Sequence, residues 1–138
     1  MKKNGSLHII AIGALFVLIV LGLASASAPP PVDLRAGENE SIVIVSRRDT
    51  GANNSIIIRI YVNDQEMARV RNGQTASFKI QNGQHTISVR ARSFPTQGLF
   101  IQANSQTINF STGITRTTTL LGHRNDLYFS QTGSSSLR

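Results

Sequence analysis

The stretch RNGQTASFKIQNGQHTISVRA, residues 71–91, holds the triplet Asn72-Gly73-Gln74 and again Asn82-Gly83-Gln84. Between them Ala76, Phe78 and Ile80 alternate with Thr75, Ser77 and Lys79. After the second triplet Ile87, Val89 and Ala91 alternate with Ser88, Arg90 and Arg92. Successive side chains on a strand point to opposite faces, so both runs read as half-buried strands. Asn and Gly accept positive φ, so Asn82-Gly83 predicts a hairpin turn between the runs, and Asn72-Gly73 punctuates the strand before. The glycines lack the spacing of a nucleotide-binding fingerprint, and no helix follows them to offer its N-terminus to a phosphate. Both triplets are turns rather than a ligand loop.

The same punctuation extends along the chain. SIVIVSR (41–47) and SIIIRIYV (55–62) are β-branched runs of strand length, separated by the turn-forming RDTGANN. In the second run Ile56, Ile58, Ile60 and Val62 share a face expected to be buried, and Ile57, Arg59 and Tyr61 share a wetter one. A turn at Asn63-Asp64 leads to a short strand through Met67 to Val70. Beyond the Pro95/Gly98 loop, LFIQA, SQTINF (105–110) and TRTTTLL (115–121) read as further strands. STGIT and GHRND read as turns, and a last short run covers Leu127 to Phe129. No amphipathic helix appears after residue 30. The expectation is an all-β fold: a single antiparallel β-sandwich of seven or eight short strands over residues 41–130, with a disordered tail at 131–138.

The N-terminal segment has a different character. Lys2 and Lys3 precede an apolar run from Ile9 to Leu23, and Ala24-Ser25-Ala26-Ser27-Ala28 follows. That order is the layout of a signal peptide, with cleavage expected after Ala26. The competing reading is an uncleaved anchor at residues 7–23, near the lower length limit for a membrane-spanning helix. Pro29-Pro30-Pro31 opens a stiff linker over residues 27–40. The expected destination is the periplasm or surface of a bacterium, with any membrane contact made by the N-terminal segment. The absence of cysteine means that no disulfide supports the fold, and it removes thiol chemistry.

Without Lys2 and Lys3 the chain carries 12 basic and 7 acidic residues, and Lys79 is the one lysine among those 12. Guanidinium groups pair bidentately with carboxylates and phosphates. Arg47, Arg48, Arg59, Arg90 and Arg92 are therefore the candidate residues for an anionic partner, an envelope polymer or an envelope protein. The competing reading of these charges is an ordinary solvated surface, since no basic run exceeds two residues. A nucleic-acid partner is not expected, because few exposed aromatic rings accompany the arginines. His85 and His123 are each isolated from carboxylates in sequence, so no catalytic, metal or cofactor residue is assigned. His85 reads as a turn residue bonded to nearby backbone, and His123-Arg124-Asn125-Asp126 reads as turn composition.

Residues 56–91 resemble the PEGA-type domains and related small exported bacterial β-sandwiches of unknown function. The likeness lies in an alternating strand reaching a turn (Ile58 to Asp64), a short strand, a polar turn, and then Gly83-Gln84-His85 followed by Ile87 and Val89. Asn63-Asp64-Gln65 replaces the usual Asp-Gly-Lys, and Asn82 stands where proline is common. The resemblance implies an accessory β-sandwich in an envelope setting and brings no catalytic residues. A non-enzymatic binding or structural module is thus the expected function. A small inhibitor or ligand carrier, and a minor hydrolase using His85 or His123 beside a carboxylate, are the alternatives.

Overall fold

The computed structural model describes residues 35–51 and 53–137. The predicted signal peptide or anchor and most of the proline-led linker lie outside them. The described chain forms eight strands: β1 (Glu40–Arg47), β2 (Ile58–Val62), β3 (Gln65–Val70), β4 (Thr75–Gln81), β5 (Gly83–Ala91), β6 (Gln97–Ala103), β7 (Gln106–Thr119) and β8 (Gly122–Ser136). They build two four-stranded sheets, β4-β1-β7-β8 and β3-β2-β5-β6. The alternating residues behave as their period requires. Ile58, Ile60, Val62, Phe78, Ile80, Ile87 and Val89 all enter one core shared by both sheets, where they meet Val43, Val45, Ile108 and Phe110. The fold is all-β, but not wholly antiparallel. β1 and β7 run parallel, with Val43 opposite Ile108 and Val45 opposite Phe110.

The two Asn-Gly-Gln triplets are turns, yet neither closes a hairpin. β3 and β5 belong to one sheet and β4 to the other, so the triplets carry the chain across the core and back. The expected hairpin at Asn82-Gly83 is therefore replaced by a corner between sheets. The reason lies in the Asn82 side chain. Its Oδ1 accepts hydrogen bonds from Ser41 Oγ at 2.9 Å and from the Ser105 backbone N–H at 2.8 Å, and its Nδ2 donates to Ser105 Oγ at 2.8 Å. Ser41 is fully buried, and its hydroxyl also accepts from Gln106 N. Asn82 thus ties the start of β1 to the β6–β7 connection. Gly83 (φ +134°) supplies the backbone freedom beside it. By contrast, Asn63 (φ 48°) and Asp64 (φ 67°) form the tight two-residue β2–β3 hairpin loop that their composition predicts.

The C-terminal third departs most from the sequence expectation. STGIT is not a turn; it lies inside the continuous 14-residue β7. Gly113 gives room rather than flexibility, because a Cβ there would sit 2.8 Å from the Tyr128 ring of β8. Beside it the buried Thr112 hydroxyl donates to Tyr128 O at 2.8 Å, and Phe110 stacks on Phe129 with centroids 4.9 Å apart. GHRND is not a turn either. It begins β8, and the chain reverses instead at Leu120-Leu121. The expected disordered tail is also corrected: β8 pairs with β7 as far as Ser136 opposite Gln106, and Leu137 N donates to Ser105 O. Pairing with β7 satisfies backbone groups that the polar, loop-like composition of QTGSSS would suggest go to water.

Two measurements check this account. Asn82→Ala removes three side-chain hydrogen bonds from a part-buried corner, and thermal melts should show a loss of about 1–3 kcal/mol. Gly113→Ala should destabilise by about 1–3 kcal/mol through overpacking against Tyr128. In a double-mutant cycle, Gly113→Ala should cost little once Tyr128→Ala has emptied the space it needs.

A candidate anion-binding face

The outer face of the β3-β2-β5-β6 sheet gathers the arginines that alternation turns away from the core. Arg59 stands directly opposite Arg90 across the β2–β5 pair and directly opposite Arg69 across the β2–β3 pair. Three guanidinium groups thus form a row across adjacent strands, in positions where like charges repel. Arg92 follows β5 and borders the same open groove, of about 710 Å³, as Ile57, Arg59, Tyr61, Arg90 and Ala91.

Two carboxylates offset part of the row. Arg90 Nη2 donates to Asp64 Oδ1 at 2.5 Å, and its guanidinium lies 4.2 Å from the centre of the Tyr61 ring. A cation held over an aromatic face gains from the ring quadrupole. Arg69 Nε donates to Glu66 Oε1, and Tyr61 OH donates to Glu66 Oε2 at 3.3 Å. The Arg69 hydrogen bond, aided by the charges of Arg69 and Arg59 and by Tyr61, holds Glu66 below its ordinary value. The same bond raises Arg69. Arg59 and Arg92 have no ion-pair partner among the described residues.

The five candidate arginines therefore divide. Arg59, Arg90 and Arg92 converge on the groove. Arg48 is exposed in the β1–β2 connection and is not part of the groove lining. Arg47 is corrected from a surface contact to a buried structural group, only 3% exposed. Period two puts it on the inward face of β1 with Val43 and Val45. Its Nη1 donates to Ile56 O and, at 3.4 Å, to Val70 O; its Nη2 donates to Asn53 O at 3.1 Å. The guanidinium thereby pins the β1–β2 connection to the end of β3. Burial lowers it from its ordinary value, and Nε is buried without a hydrogen-bond partner.

Arg69 was not among the sequence candidates, for an identifiable reason. A regular hairpin around Asn63-Asp64 would place Ala68 opposite Arg59. The register instead shifts between Ile60 and Tyr61, leaving Met67 as the extra residue and bringing Arg69 to that position.

The histidines have different surroundings. His85 Nε2 lies 2.7 Å from Gln81 O, a geometry in which it donates, and Nδ1 is placed to accept from Asn63 Nδ2 at 3.0 Å. That is the turn-bonding role expected for it. His123 Nδ1 faces Thr118 Oγ1 at 3.0 Å. The hydrolase alternative requires one of these rings beside a carboxylate, and their hydrogen-bond partners are of other kinds. Among the described residues no cluster of three or more His, Cys, Asp or Glu could hold a metal ion. No family model, curated protein or solved structure matches this chain.

Arg47→Leu should cost about 2–3 kcal/mol through lost charge-assisted hydrogen bonds, a fall on the order of 10–20 °C in Tm for a domain near 100 residues. Arg59→Gln should leave stability unchanged or slightly raised, because it removes the middle charge of a repelling row. Acid acts in part through Glu66. Its folded value lies below the ordinary 4.5, so its stabilising contribution is complete above that value and is lost as pH falls through the lowered one. Melts between neutral pH and about pH 3 should show this loss, reduced in Glu66→Gln.

Proposed function

We propose that this chain is an exported, non-enzymatic β-sandwich module of a bacterial envelope, PEGA-like in kind, that holds an anionic partner on its arginine face. The observation that carries the reading is the row Arg69–Arg59–Arg90, with Arg92 beside it. Like charges set directly opposite one another across three strands oppose folding. An anion bridging them converts that repulsion into affinity, and guanidinium forks suit carboxylates and phosphates. Ile56, Ile57, Tyr61 and Ala91 line the groove beside the arginines, a mixed apolar and cationic lining that fits the repeating units of an anionic polymer better than a small free ion. The signal-peptide layout of residues 1–26 supports an envelope setting, and the likeness of residues 56–91 to PEGA-type domains supports an accessory role.

The test is release of the protein from an envelope fraction at low salt and then at about 1 M, where screening shortens to about 3 Å. Release confined to high salt is expected. The double variant Arg59→Gln/Arg92→Gln should release at low salt already, whereas Arg48→Gln should behave as the unmodified protein. Equal release of all three at every salt concentration would remove the arginine face from the function.

A further inference from the structure

The last five pairs of the β7–β8 hairpin, from Thr115 opposite Asp126 to Thr119 opposite Gly122, extend past the core. Every residue from 115 to 125 is exposed, whereas Ile114 and Leu127 just below are buried. Five strand residues span about 17 Å, so the hairpin is an arm rather than a loop. Its tip is Leu120-Leu121, with relative exposures of 107% and 101%. Tight hairpin loops ordinarily carry Asn, Asp or Gly. Here neither leucine has positive φ, and Gly122 (φ +133°) takes the irregular backbone angle instead. The sequence thus keeps a turn with two leucines at its end.

The rest of the arm is arranged around that tip. Thr119 Oγ1 donates to Gly122 O at 3.1 Å, and Thr118 Oγ1 bonds His123 Nδ1 at 3.0 Å. The hydroxyls nearest the leucines are therefore satisfied within the hairpin, which lowers the cost of taking them out of bulk water. Residues 115–125 include Arg116 and Arg124 and no carboxylate; Asp126, at the base, pairs with Arg124 at 2.7 Å. A convex apolar tip cannot receive a ligand. It can enter a medium that needs no matching shape, while basic groups behind it meet anionic headgroups.

We infer that the β7–β8 arm is a membrane-contact element, inserting Leu120 and Leu121 into the interface of an anionic lipid surface with Arg116 and Arg124 at headgroup level. This contact is separate from the arginine face, which belongs to the other sheet, and from any N-terminal anchor.

The chain contains no tryptophan, so Leu121→Trp places a single indole at the tip of the otherwise intact full-length protein. With vesicles containing phosphatidylglycerol, its emission should shift to the blue and be quenched by brominated acyl chains. Phosphatidylcholine vesicles should give a much weaker response. Replacing Leu120 with Ser in that background should weaken binding by roughly tenfold, and Arg116→Gln by roughly fivefold. A matching probe at the exposed Phe100, Phe100→Trp, should report no lipid contact. No blue shift with anionic vesicles would overturn the inference, as would equal quenching at Phe100→Trp. A blue shift that grows with protein concentration without lipid would overturn it too, assigning the tip to a second copy of the chain.

Discussion

A single asparagine side chain ties together three segments that are well separated along the chain. Asn82 bonds the buried Ser41 at the start of β1 and Ser105 before β7, and Ser105 Oγ in turn donates to Glu38 O at 3.1 Å. The described chain passes between its sheets four times, and each passage takes polar backbone past the rim of an apolar core. Such groups are costly unless paired. Asn72 serves the opposite sheet-to-sheet passage in a similar way: its Nδ2 donates to Asp49 Oδ1 in the β1–β2 connection. With Gly51 N also donating to it at 2.9 Å, the Asp49 carboxyl lies below its ordinary value. These side chains do for the corners what hydrogen-bonded ladders do within the sheets, and no disulfide assists them.

Once the core faces are set, the outer faces follow by alternation, and the two sheets differ in what they display. The β3-β2-β5-β6 sheet collects arginines at consecutive strand positions. Their mutual repulsion is only partly offset by Glu66, Asp64 and the Tyr61 ring. Arg47 has the same residue type but the opposite outcome. Its position in β1 turns it inward, where three backbone carbonyls replace any external anion. Residue type alone does not separate an outward-facing arginine from a buried structural one; strand phase does.

The other sheet ends in a hairpin longer than its core. Above Ile114 and Leu127 nothing apolar supports β7 and β8, and cross-strand pairing with threonine hydrogen bonds shapes the arm. Isolated two-stranded ribbons are marginal in water. This one is continuous with a four-stranded sheet, which fixes its base and its direction.

Much of the strand content was legible in the residues themselves. Alternation of β-branched and polar side chains marks β2, β4 and β5, and positive-φ residues mark the Asn63-Asp64 turn, because both signals are local. The full length of β7 and β8 was not legible: SQTINF and TRTTTLL read as two separate strands, and only Leu127 to Phe129 of β8 read as strand. Gly113 looks like a turn residue until Tyr128 is placed above it, and QTGSSS looks like a tail until β7 supplies its partners. The site divides along the same line. That arginines would face out from β2 and β5 followed from period two. That Arg69 would join them depended on a one-residue bulge, and the partners that satisfy the inward-turned Arg47 come from the adjoining β1–β2 connection and from the end of β3. Sequence determined which local conformations these residues prefer. Tertiary structure alone decided which sheet each strand joined and which charges met, because register and sheet assignment are set by partners far away along the chain.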